Sequence, residues 1–287
     1  MPNSEEKPLA ISTSIPPDLP PKQQKLFRDV LEKLNECGVP YAVSGAFALR
    51  QHTGICRDTK DLDVFLPAAA VKRTLECLVA DGFDCEVRDP VWLAKAHRED
   101  FFVDLISGMS NGIIAVDESW ITRASPTNIF GVDVRVLAPE ELIASKLFVT
   151  RRERFDGADI VHVIFGTRGK LDWERILQIA GEHWEVVLWS LILFHYVYPA
   201  NTAYVPQEVW ARLLKRFSDQ IAHPNSEAKF RGSLIDENMF NIDVHEWGME
   251  DLLAEARAKR EPKMESPAGS CSENSEWATK NVAKQQQ

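Results

Sequence analysis

The sequence lacks several patterns that would classify it at once. It has no GxGxxG turn and no GxxxxGK[ST] loop, which excludes a dinucleotide-dependent dehydrogenase and a P-loop kinase. No GxSxG elbow is present and no cysteine sits in an activating setting, so Ser or Cys nucleophilic catalysis finds no support. His52, His97, His162, His183, His195, His223 and His245 show no HExxH or other metal-ligand spacing and are read as structural or surface residues. The five cysteines, Cys37, Cys56, Cys77, Cys85 and Cys271, are scattered, odd in number and without CxxC spacing, and are expected as reduced thiols. Long apolar runs are scarce: the most apolar stretch, 186–194, is closed by His195 and falls short of the roughly 20 residues of a membrane span. The N-terminal region, with Ile15-Pro16-Pro17, has no basic-then-apolar signal pattern, so the expectation is a soluble cytoplasmic protein with no membrane partner.

Basic charge is also in deficit. Against 43 Asp+Glu there are 33 Lys+Arg, a formal net charge of -10, which disfavours sequence-independent binding of phosphate backbones and leaves only a local basic patch for nucleic acid. What is present is an ordinary globular composition over 287 residues, enough for one large domain or two modest ones with a core and a cleft.

Residues 1–22 and 259–287 are rich in Pro, Ser, Lys, Glu, Asn and Gln without apolar periodicity, and both ends are expected to be disordered. Between them, Leu26, Phe27, Val30, Leu31 and Leu34 have helical spacing, stopped by Gly38 and Pro40. Residues 41–43 predict a strand, Ser44-Gly45 a turn and 46–52 a helix closed by Gly54. Then follow a strand at 62–66, a helix at 68–80, strands at 83–87, 101–106 and 132–136, and a helix opened by Pro139. Helices at 158–165, 173–180, 184–196 and 206–217 complete the pattern. The fold class is therefore α/β (α+β): an α/β unit over 23–138, followed by a helical unit over 139–258.

The chemistry concentrates in Tyr41–Leu66, YAVSGAFALRQHTGICRDTKDLDVFL. Residues i and i+2 of a strand share a face, so Asp61 and Asp63 project together while Leu62 and Val64 turn to the core. Paired carboxylates suit Mg2+, with Mn2+ able to replace it, and the remaining ligand oxygens come from water and substrate phosphates. Gly45, opening a helix, can present backbone N–H groups to the same phosphates. Asp104, in Phe101-Phe102-Val103-Asp104-Leu105-Ile106, is the third carboxylate candidate, as metal ligand or proton acceptor; the alternative is a strand-end Asp paired with a lysine.

The ordered set of strand, Gly turn, helix, Arg-x-Thr-x-Asp-x-Asp and strand resembles the nucleotidyltransferase superfamily with the DNA polymerase β-like fold, and more closely the bacterial abortive-infection and toxin–antitoxin-type members. The family pattern is an apolar residue, Gly, then Gly or Ser, and Asp-x-Asp on the next strand. Residues 43–49 and 57–63 match it, except that Ala46 stands at the second Gly or Ser; Ser44 is the candidate to replace that hydroxyl. Residues 139–147 and the group Arg151, Arg152, Arg154, Asp156 and Asp159 look like later family motifs, and the likeness spans about 23–170.

The resemblance implies a mixed twisted sheet with flanking helices and a helical C-terminal half. It implies a metal-dependent enzyme that moves a nucleoside monophosphate from a triphosphate such as ATP to an acceptor hydroxyl, with release of pyrophosphate. Asp61, Asp63 and Asp104 would then be catalytic and metal-binding, and Lys146 the cation on the triphosphate. Ser44, Gly45, Arg57, Thr59 and Lys60 are further nucleotide-binding candidates, although a solvated turn explains the last three equally well.

Arg151, Arg152 and Arg154 face either a substrate or, on a helix, their own acidic neighbours. Tyr196, Tyr198 and Trp210 are read as core rather than as base-stacking platforms. For the acceptor, the toxin relatives imply RNA such as a transfer-RNA 3′ end, with an antitoxin protein as partner. The alternatives are a small hydroxylated, aminoglycoside-like molecule, a protein side chain, or an inactive nucleotide-binding regulator.

Overall fold

A computed structural model describes residues 19–260. The expectation of disordered ends therefore lies almost wholly outside the described residues. The α/β part comprises α1 (Pro21–Glu36), β1 (Ala42–Val43), α2 (Gly45–Thr53), β2 (Asp61–Phe65), α3 (Ala68–Ala80), β3 (Asp84–Asp89), β4 (Leu93–Arg98), β5 (Phe101–Ile106), α4 (Glu118–Arg123), β6 (Ser125–Ile129) and β7 (Val132–Val136). The rest is helical: α5 (Pro139–Lys146), α6 (Gly157–Gly166), α7 (Trp173–Ala180), α8 (Trp184–Val197), α9 (Gln207–Ala222), α10 (Gly232–Ile235), α11 (Asn241–His245) and α12 (Leu252–Ala258).

The strands form one seven-stranded mixed sheet in the order β3-β4-β5-β2-β1-β7-β6. β2 runs parallel to β5 and β1 parallel to β7, while the remaining neighbours are antiparallel. Two strands depart from the sequence expectation. β4 carries Ala, Lys, His and Arg, weak strand formers, yet it is held between β3 and β5 by a full ladder on each side. β6 contains Pro126, which an edge strand tolerates because no donor is needed on its open side. The short helices α4, α10, α11 and α12 were likewise not expected.

The apolar stripe of α1, Leu26, Phe27, Val30, Leu31 and Leu34, is fully buried, and α1 packs with α3 over the sheet. A single core continues from there through Leu142, Ile160 and Ile176 to Leu191 and Leu213, so the boundary near residue 138 separates element types rather than two cores. At that junction Glu140 and Glu141 are buried and ion-paired. Arg123 Nε lies 3.2 Å and Arg175 Nε 2.9 Å from Glu141, and Arg123 reaches Glu140 at 3.7 Å.

Three further expectations are corrected. Cys37, capping α1, and Cys77 on α3 form a disulfide between packed helices, so not all five cysteines are free. Trp173–Val197 is a helical run of 25 residues, long and apolar enough to cross a membrane by length and composition. It is broken by a 3-10 turn at Gly181–His183, and its Trp184, Val187, Leu188, Leu191 and Phe194 are buried in the core. Of the three aromatics expected in the core, Tyr198 stacks on Phe165 and Trp210 packs beside His195, but Tyr196 is 81% exposed.

Candidate active site

The alternation of β2 puts Leu62 and Val64 in the core and leaves Asp61 and Asp63 together on the other face. The parallel register with β5 places Asp63 opposite Asp104. Carboxylate oxygens of Asp61, Asp63 and Asp104 all come within 4.8 Å of one another, the convergence expected of the three acids. Burial pushes the Asp63 carboxyl up to about 7, reinforced by the charges of Asp61 and Asp104 and opposed by Lys146 and Arg154. The Asp104 carboxyl is raised by burial and drawn back by Lys95.

Three converging acids, two of them with raised pKa, fit a divalent cation, which relieves their repulsion and accepts hard oxygen donors. Thr59 Oγ1 lies 3.0 Å from Asp61 Oδ1 and 2.9 Å from the Asp61 carbonyl oxygen, so its one proton is shared between two acceptors of the same residue; this gives Thr59 a holding role on the acid. Lys95 was not anticipated. Its Nζ donates to Asp104 Oδ1 at 2.5 Å and lies 3.9 Å from the centre of the Phe102 ring, so the lysine partner that an Asp on this strand could have had is present alongside the triad. The signal for Lys95 is its register opposite Asp104, which exists only once β4 is known to be a strand.

The chain leaves β1 at Ser44, whose N–H donates to the Asp63 carbonyl at 2.9 Å, and enters α2 at Gly45. Gly45 has φ +57°, and a Cβ there would collide with the Asp63 carboxylate. The Gly turn is therefore required by close approach of backbone to acid. Ser44 is buried at the N-cap of α2, while Ala46 follows inside the helix.

The basic candidates are distributed differently. Lys146, with only 9% of its side chain exposed, bridges Asp156 at 2.9 Å and Asp159 at 2.8 Å and reaches Asp63 through its field. Arg57 pairs with Asp159 at 2.5 Å, and Lys60 is exposed. Arg151, Arg152 and Arg154 lie on a loop between α5 and α6, which corrects the helix-face alternative. Arg151 donates to Ser110 Oγ at 3.0 Å, and the Arg152 backbone donates to Asp236 at 3.1 Å. Arg154 grips Asp156 through two bonds of 3.0 and 3.1 Å. It is held above its ordinary value by that bond and by the nearby charges of Asp63 and Asp61, which places its cation by the triad.

A family described as nucleotidyl transferase of unknown function (DUF2204) matches residues 23–186. None of the curated proteins matches the chain. Among solved structures the chain is similar to ANT(2'')-Ia in complex with adenylyl-2''-tobramycin, with 16% identity, a TM-score of 0.37, and coverage of 62% of this chain and 99% of that one. The lincosamide antibiotic adenylyltransferase LnuA, lincomycin-bound, is similar at 17% identity and TM-score 0.35, over 48% of this chain and 94% of that one. An antigenic nucleotidyltransferase-like protein from Paracoccidioides brasiliensis is similar at 17% identity and TM-score 0.40, over 65% and 93%. The family match covers more than half of the chain and contains the whole carboxylate triad, and the chain accordingly belongs to this nucleotidyl transferase family and is a nucleotidyltransferase.

Proposed function

We propose that the protein transfers a nucleoside monophosphate from a nucleoside triphosphate to the hydroxyl of a small molecule, at the site formed by Asp61, Asp63 and Asp104. The observation that carries this reading is the convergence of the three carboxylates beneath the Gly45 turn. A divalent cation such as Mg2+ or Mn2+, when bound there, supplies neutralisation of the triphosphate charge and of the acids that hold it.

Asp61 and Asp63 would hold that cation against the α-phosphate, and Thr59 keeps Asp61 in place. The N-terminus of α2, from Gly45 onward, offers its N–H groups to the outer phosphates, with Arg154 as the exposed cation and Lys146 as a buried one. Asp104 accepts the proton of the acceptor hydroxyl as its oxygen bonds to the α-phosphorus. The bond from that phosphorus to the bridging oxygen of the β-phosphate breaks, and pyrophosphate leaves. Positioning and charge complementarity supply most of the rate in such in-line displacements.

The choice of a small acceptor over RNA rests on how the cations near the cleft are used. Lys95, Lys146, Arg57 and Arg154 are each committed to a carboxylate, which leaves Lys60, Arg151 and Arg152 without a salt bridge among the described residues, and the chain carries a net charge of -10. Binding an RNA backbone would call for a longer run of free cations than these three. The test is incubation with α-labelled triphosphates and Mg2+ in the presence of small hydroxylated acceptors, total RNA or the protein alone. Label is expected in the small-molecule fraction together with released pyrophosphate. Label in RNA would replace the acceptor reading by the toxin-type one, with its antitoxin partner; label nowhere, with no divalent-dependent triphosphate binding, would defeat the proposal.

A further inference from the structure

A cavity of about 590 Å3 lies between the N-terminal half of α1, the outer side of α2 and the β6–β7 hairpin. Its volume falls in the range of small-molecule sites, and none of the three acids of the triad lines it. In a chain with ten more acids than bases, its ionisable wall residues are all cations: Lys25, Arg28 and Arg50.

The three are not equivalent. Lys25 is exposed and paired with Asp29, and Arg28 is half-exposed with Glu32 at 3.8 Å. Arg50 is the one of the three with no carboxylate partner among the described residues; its Nε and Nη2 are closed off from solvent, which leaves the Nη1 end of the guanidinium to meet a ligand. Guanidinium N–H groups donate short, charge-assisted bonds to carboxylate and phosphate oxygens. Phe47 and Phe130 line the same cavity with ring centres 5.7 Å apart in an edge-to-face arrangement, and they give it an apolar, aromatic wall.

We propose that this cavity binds an organic anion, a phosphate or carboxylate carried on an aromatic or similarly flat apolar body, with the head group on Arg50 and the body against Phe47 and Phe130. The charge of the wall makes it a poor site for cationic molecules. The site is separate from the triad and holds whether or not the acceptor reading is correct. It shares α2 with the catalytic centre: Gly45 at the start of that helix touches Asp63, and Arg50 lies five residues further along.

The test is calorimetric titration of the full chain, without divalent cation, using phenyl phosphate and benzoate, with phenol and inorganic phosphate as the apolar-only and charge-only controls. At least one of the two organic anions is expected to bind about tenfold or more tightly than either control, and the better of the two identifies the head group. Arg50→Gln should weaken that binding by about tenfold or more, while Asp63→Asn should leave it unchanged. If Arg50→Gln does not fold, Thr127→Trp, which adds an indole at the cavity wall from the edge strand, should abolish binding. Unchanged binding in Arg50→Gln or Thr127→Trp, loss of binding in Asp63→Asn, or no binding by either anion would overturn the proposal.

Discussion

Glu140 and Glu141 at the start of α5, and Asp61, Asp63 and Asp104 in the sheet, are all acids partly or wholly withdrawn from water, but their surroundings differ in sign. Burial raises Glu141, and Arg175 and Arg123 oppose that shift from contact distance. Asp63 is raised by burial and raised again by two neighbouring acids, with its opposing cations already tied to other carboxylates. The first arrangement is balanced in charge within the protein, although Glu141 Oε2 is left without a hydrogen-bond partner, and it serves the fold. In the second, negative charge is concentrated and left to be balanced by something that binds, which is how a cation and a triphosphate are recruited. The glutamates are also the more deeply buried, but it is charge compensation that tells the two clusters apart.

The sharpest break of this comparison is a pair of isosteric substitutions. Asp63→Asn should lower nucleotide transfer by at least about 10³-fold while leaving the melting temperature unchanged or raised, because a repulsive buried charge has been removed. Glu141→Gln should do the reverse, costing about 3 kcal/mol of stability in denaturant melts by leaving two arginines uncompensated, with activity per folded molecule retained. If both variants lose stability alike, the distinction between the clusters fails.

Gly45→Ala sharpens the same contrast with a smaller effect. The added Cβ meets the Asp63 carboxylate at a backbone angle that L-residues rarely adopt, so transfer should fall by about 10²-fold and stability by about 1–2 kcal/mol. Substitution by alanine at Gly38, where a Cβ meets open space, shares only the backbone penalty and should leave activity intact.

The smallest effect concerns pH. Because the Asp63 pKa is raised to about 7 from its ordinary 3.8, the folded state holds that proton over a range in which the unfolded chain has released it. Without divalent cation, the stability Asp63 contributes is fully present below pH 4 and lost as pH rises toward 7. The wild type should therefore lose stability relative to Asp63→Asn across that window. Adding Mg2+ should reverse the trend, since a bound cation requires the deprotonated acid. A flat difference between the two proteins would remove the electrostatic basis of the comparison.

Much of the architecture was legible from local patterning. Helices α1, α3 and α7 and strands β5 and β7 follow directly from apolar periodicity and from Gly and Pro punctuation. Strands β4 and β6 were not legible, because Leu93–Arg98 lacks strand-forming residues and Ser125–Ile129 holds a proline. Both are strands because neighbouring strands supply their hydrogen bonds, and no window of sequence contains that information. Missing β4 also meant missing Lys95. The pairing of Cys37 with Cys77 escaped for the same reason, since only the packing of α1 on α3 brings them together.

The sequence by itself determined that Asp61 and Asp63 share a face, because a strand repeats every two residues, and that a turn with a glycine precedes them, because the pattern names it. Only the tertiary structure decided that Asp104 completes the cluster, since that depends on which strand lies beside β2 and in what register. It also decided that Arg57 and Lys146 are tied to Asp159, whereas the buried face of Arg50 meets no acid. Periodicity is a property of the chain; charge balance is a property of neighbours in space, and for acids and bases far apart in sequence only folding sets it.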